Sequence, residues 1–160
     1  MLIQVSAVAY QPMTLGDLAI HLSATTDHER RWRLVLEFLE EFSHEDPSSG
    51  ELSPNSPAVE DVAAELPENV AKHRVRLLAA EPPSCGDARW DALVAAIAEH
   101  LSWADAMVAP AWCTKPNLMW FGKVWFVDPL PSAQAWALAH SPASFRRRGI
   151  FLHPDDLGRA

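Results

Sequence analysis

Cysteine is scarce in this 160-residue chain: Cys85 and Cys113 are the only two, and they form no CxxC pair. Neither a disulfide scaffold nor a thiolate zinc site is specified, and a reducing compartment suits them. Glycine is scarce as well, with six residues too dispersed for a GxGxxG or GxxxxGK phosphate loop, so nucleotide binding has no support. No window approaches the roughly 18 consecutive apolar residues of a membrane helix, and no basic-then-apolar leader follows Met1. The expectation is a soluble, cytoplasmic protein without a membrane partner. Basic charge is also short: 13 Lys and Arg stand against 21 Asp and Glu, a formal net charge of -8. A general nucleic-acid binder is thereby disfavoured, because phosphate binding draws on net positive surface.

Catalytic spacings are missing too. No GxSxG elbow is present, and neither cysteine sits in the context of a known nucleophile. His21 and His28 are seven apart across a helix break, while His44, His73, His100, His140 and His153 are scattered without an HExxH or HxxxH pair. No metal, cofactor or catalytic residue is expected.

What is present is apolar sequence with helical rhythm. With 49% hydrophobic residues the chain can bury a sizeable core as one domain spanning residues 1–160. Thr14 precedes Asp17 by three in a capping-box arrangement, and Leu15, Leu18, Ala19 and Leu22 follow on one helical face. Thr26, three before Glu29, opens a second helix with the stripe Trp32, Val35, Leu36, Leu39 and Phe42. Ser43 to Pro57 is built of Ser, Pro, Gly, Asn and acids with a single Leu, and reads as an exposed acidic loop open to disorder. Ser56 and Pro57 start a short run to Leu66, Pro67 breaks or kinks it, and a further helix covers about 68–80. Ser84 with Asp87 offers another capping box before the clearest helix of all, in which Trp90, Leu93, Val94, Ile97 and Leu101 form one stripe. The block 118–127 is aromatic and β-prone without clean alternation, leaving strand and buried loop both open. Pro131 leads into a helix ending at His140, and Ser141-Pro142 starts another that Gly149 stops in a left-handed cap. A final turn runs from Pro154 to Leu157. The fold class is mainly α, a compact multi-helix domain with a small irregular or extended element near 118–127.

Charge is unevenly placed. Residues 110–160 hold six bases against three acids and are the only net-basic third, and they contain Trp112, Trp120, Trp125 and Trp136, with Trp103 just before. Arg146, Arg147 and Arg148 form the one dense basic cluster. It reads either as a solvated helix end favoured by the macrodipole or as an anion contact for phosphate or an acidic partner. The acidic stretch from Glu40 to Glu51 reads as a solvated linker or as a surface for a basic partner.

The strings Glu81-Pro82-Pro83-Ser84, Gly86-Asp87-Ala88-Arg89-Trp90-Asp91-Ala92-Leu93, Ala98-Glu99-His100-Leu101, Pro110-Ala111-Trp112 and Ser141-Pro142-Ala143-Ser144-Phe145-Arg146-Arg147-Arg148-Gly149-Ile150-Phe151 carry a resemblance that covers about half of the chain. This pattern resembles the C-terminal region of actinobacterial-type XRE regulator and antitoxin-like proteins, which are encoded beside nucleotidyltransferase-like toxins. The resemblance implies a non-enzymatic protein that binds and restrains a partner, such as a nucleotidyltransferase-like toxin. The second helix is acidic where a DNA-recognition helix should be polar and basic, so direct DNA reading is not favoured. Trp and Arg commonly supply interface anchors, which makes Trp112, Trp120, Trp125, Arg146, Arg147 and Arg148 the partner-binding candidates. A DNA-associated regulator acting through the basic C-terminal third, as a homodimer, is the alternative. An enzyme with a His and carboxylate pocket is the third reading.

Overall fold

The computed structural model describes residues 11–44, 66–120 and 122–158. Seven α-helices appear in order: α1 (Leu15–Ser23), α2 (His28–His44), α3 (Leu66–Ala79), α4 (Ala88–Ala104), α5 (Pro116–Met119), α6 (Pro131–His140) and α7 (Ala143–Arg146). Two short strands, β1 (Trp125–Phe126) and β2 (Ile150–Phe151), and two 3-10 turns, Ala111–Thr114 and Pro154–Leu157, complete the described fold. No helix among the described residues is long and apolar enough to cross a membrane.

Helix α4 is the axis of the domain. It is buried on nearly every side, with Trp90, Leu93, Val94 and Ile97 joined by Ala92, Ala95, Ala96 and Ala98 in the core. An apolar helix of this kind must be covered all round, and α1, α5, α7 and the 3-10 turn at Ala111–Thr114 all pack against it. Its alanines let those neighbours approach closely. Helix α1 presents Leu15, Leu18, Ala19 and Leu22 inward, and α2 adds Val35, Phe38, Leu39 and Phe42 to the same core.

The Thr14 capping box forms as the sequence predicts, with reciprocal bonds between Thr14 and Asp17. The bonds to Thr14 hold the Asp17 carboxyl below its ordinary range. Two other helix starts differ from expectation. Thr26 does not cap α2; the Asp27 carboxylate accepts from Arg30 N–H at 2.8 Å, and the Thr25 hydroxyl is turned onto Asp27 N–H. Ser84 likewise gives its hydroxyl to Asp91 at 2.5 Å, leaving Asp87 to cap α4 by accepting from Arg89 N–H. In each case an acid nearer the helix takes the cap in place of the hydroxyl. Ser43 and His44 belong to the last turn of α2, and Pro67 stands at the second position of α3. The rest of the acidic loop and the run expected from Ser56 lie outside the described residues.

The block 118–127 resolves into one helical turn and a strand. Trp125 pairs with Ile150 and Phe126 with Phe151 in parallel, joined by Trp125 N–H to Gly149 O at 2.8 Å and Val127 N–H to Phe151 O at 2.9 Å. A parallel pair needs a crossover, and α6 with α7 supplies it. Gly149 enters β2 with φ of +74°, the left-handed conformation expected at this position, and the Trp120 ring lies where a side chain at 149 would project. Gly149→Ala therefore meets both backbone strain and a steric clash. We expect it to lower stability by about 1–3 kcal/mol, read as a shift in the urea midpoint with an unchanged slope.

Candidate interaction surface

The arginine triplet does not act as one solvated patch. Arg148 is fully buried, whereas Arg146 and Arg147 are exposed. The sequence expectation of three outward guanidiniums is corrected here, and the reason is Glu99, a carboxylate 2% exposed on α4. Arg148 Nη1 donates to Glu99 Oε2 at 2.6 Å and to Ser144 O at 2.6 Å. Its Nη2 donates to Cys113 O at 2.8 Å and its Nε to Leu118 O at 2.9 Å. One side chain thus ties α4, the 3-10 turn, α5 and α7 together, and every nitrogen of the guanidinium has a partner. The second Glu99 oxygen accepts from Arg147, whose guanidinium also lies 5.5 Å from the centre of the Trp103 ring. A desolvated carboxylate held by two arginines leaves this cluster with one net positive charge.

That anchoring decides what reaches solvent. With Arg148 drawn inward, Arg147 emerges over Trp103, and Gly149 one residue past the triplet carries the Trp120 ring. Trp103 and Trp120 are 47% and 50% exposed. Arg146 has no ion-pair partner among the described residues. Half-exposed Trp103 thus lies under Arg147, half-exposed Trp120 lies against Gly149, and Arg146, next to Arg147 in sequence, is exposed.

The other candidate tryptophans are structural. Trp112 is buried, and its indole N–H donates to Leu78 O at 3.2 Å, fastening α3 to the 3-10 turn. Trp125 is buried edge-on against Trp90 with ring centres 5.2 Å apart, under the Arg89 guanidinium and beside His28. Trp112, Trp125 and Arg148 are consequently withdrawn from direct contact with a partner, while Trp120, Arg146 and Arg147 remain available.

No family model, curated protein or solved structure matches this chain. The chemistry of the site is left to the residues themselves. Among the described residues no three His, Cys, Asp or Glu side chains group as metal ligands. His28 Nε2 lies 3.0 Å from Val127 O within the Trp90 and Trp125 cluster, and His100 packs on Phe145, where burial lowers its pKa. Burial pushes the Cys85 thiol up to about 11 and the Cys113 thiol to about 12, so neither is a nucleophile at neutral pH.

Sequence reasoning missed Glu99 and undervalued Trp103. A signal for Glu99 was present, since it is the only acid between Ala92 and Ala104 in a helix rich in alanine and other apolar residues. A lone carboxylate in such a stretch calls for a buried partner, and an arginine triplet is the obvious source.

Breaking the buried pair from one side leaves an uncompensated charge in the core. Glu99→Gln should cost about 3–5 kcal/mol in urea unfolding, and Arg148→Met, which also leaves the Cys113, Leu118 and Ser144 carbonyls without a donor, should cost more. Both thiols should resist an aromatic disulfide reagent at pH 8 in the native protein, and both should react promptly in denaturant. Rapid native labelling would contradict the depth assigned to Cys85 and Cys113.

Proposed function

We propose that this is a non-enzymatic interaction protein of antitoxin-like type, which binds and restrains a partner protein through an acidic surface on that partner. The reading is carried by one observation: Glu99 and Arg148 fix the turn so that exposed Arg147 stands over half-exposed Trp103, with Arg146 exposed next to it in sequence and half-exposed Trp120 seated at Gly149. Aromatic and arginine side chains held rigidly at a surface are the composition of an interface hot spot. Arg147, already paired with Glu99, loses less freedom on meeting a carboxylate than a free surface lysine would. The family resembled by the C-terminal half makes a nucleotidyltransferase-like toxin the candidate partner. DNA is the weaker occupant, because the burial of Arg148 leaves two outward arginines from the triplet on a chain of net charge -8.

The test is recovery of partners by the tagged full chain at low and moderate salt. A stoichiometric acidic protein should co-purify. Arg146→Glu and Trp120→Ala, which leave the Glu99 pairing intact, should each weaken its binding about tenfold or more. Arg33→Glu, an exposed change on α2, should leave binding unaltered. Recovery of DNA alone, or a protein partner indifferent to both changes, overturns the proposal.

A further inference from the structure

A cleft of about 450 Å³ opens between α2 and the loop that follows β1. Helix α2 lines it with His28, Trp32 and Leu36, and Asp128, Pro129 and Asp156 line it from the C-terminal half. Trp32 is partly buried against the core, so packing holds its indole on the wall of the cleft. Asp128 and Asp156 also line a second hollow of about 240 Å³, which runs on against Ala133 and Phe151. Asp128 Oδ1 accepts from Leu130 N–H at 2.9 Å. Asp156 is partly buried, and no Lys or Arg pairs with it among the described residues. Burial holds its carboxyl above the ordinary range; Asp128 and Asp155 push the same way, and the ring and backbone N–H of His153 oppose them. The His153 imidazole itself lies 3.5 Å from Asp155.

We propose that this cleft binds a small organic cation, a primary ammonium carried on a flat, ring-sized apolar body. The sign follows from the walls: Glu29, Asp128 and Asp156 face Arg33 alone, on a chain of net charge -8. The wall composition separates an organic cation from a metal ion. A divalent metal needs several oxygen ligands converging on one point, and among the described residues no three His, Cys, Asp or Glu side chains group in that way. A bare ion would also leave Trp32, Leu36 and Pro129 wet. An ammonium at Asp128 and Asp156 brings three donors to carboxylates that have acceptor capacity to spare, while its ring covers the apolar wall and stacks on Trp32. The indole face adds attraction for the positive end. The volume falls within the roughly 300–1,000 Å³ of small-molecule sites. Twelve or so non-hydrogen atoms in an open cleft give a dissociation constant on the order of 100 μM. None of the residues at the Trp103 and Trp120 surface lines this cleft, and the inference does not rest on that function.

Calorimetric titration of the full chain with tryptamine, up to about 5 mM, tests it. The expected result is one site per chain, with N-acetyltryptamine and indole-3-acetate, which keep the ring and lose the positive charge, at least tenfold weaker. Asp156→Asn, which keeps the shape and removes the charge, should weaken tryptamine about tenfold or more, and Trp32→Leu should do the same with far-ultraviolet circular dichroism unchanged. Asp155→Asn, an exposed acid next in sequence that does not line the cleft, should change binding less than about threefold. No heat of binding up to the highest concentration overturns the proposal. So does equal binding of N-acetyltryptamine, a site indifferent to Asp156→Asn, or one that Asp155→Asn weakens as much.

Discussion

Two oxygens of Glu99 organise the C-terminal half of this domain. A carboxylate out of water is costly unless both oxygens are held, and α4 carries it in a stretch otherwise free of charge. The response is a fully buried guanidinium that also collects carbonyls from three separate segments: Cys113, Leu118 and Ser144. These carbonyls come from short helical turns that cannot satisfy themselves. The ion pair therefore does more than neutralise a charge. It fixes three four-residue pieces of chain, too short to pack by hydrophobic area alone, against α4.

The N-terminal half repeats the device with different residues. Arg31, 4% exposed, donates through Nε to Leu22 O and Thr25 O past the end of α1, and through Nη1 to the Asp87 cap of α4 at 3.3 Å. Its guanidinium also lies over Trp90. Each end of α4 is thus docked by a buried arginine that stitches carbonyls from one element to an acid of another. Helix α4 can carry six alanines among its 17 residues because its orientation is set by polar contacts toward both ends.

Local features of this architecture were legible in the sequence, and depth was not. The Thr14 box, the Trp90 stripe, the Pro131 helix start and the left-handed Gly149 each follow from interactions within a few residues. Which tryptophans face water depends on what covers them. Trp112 and Trp125 are indistinguishable from Trp120 by composition, yet the first donates to Leu78 O from 34 residues away and the second lies under Arg89. The β1 and β2 pairing has the same character, since two-residue strands have no pattern to read and their register rests on Trp125 N–H to Gly149 O and Val127 N–H to Phe151 O. Of the six residues expected at an interface, Trp120, Arg146 and Arg147 lie at the surface. Arg148 is the reason the last two are held there.

The distance along the chain between Glu99 and its partners, 48 residues to Arg147 and 49 to Arg148, gives this ion pair a role in timing. Until the C-terminal turn docks, the central helix carries an unanswered carboxylate among its apolar side chains. Closing such a long loop costs entropy and contributes nothing until it is complete. The C-terminal half consequently consolidates only once Arg147 and Arg148 reach Glu99. Assembly of the core and presentation of Arg146 and Arg147 at the surface become one event, so a chain that has not finished its core has no surface to offer.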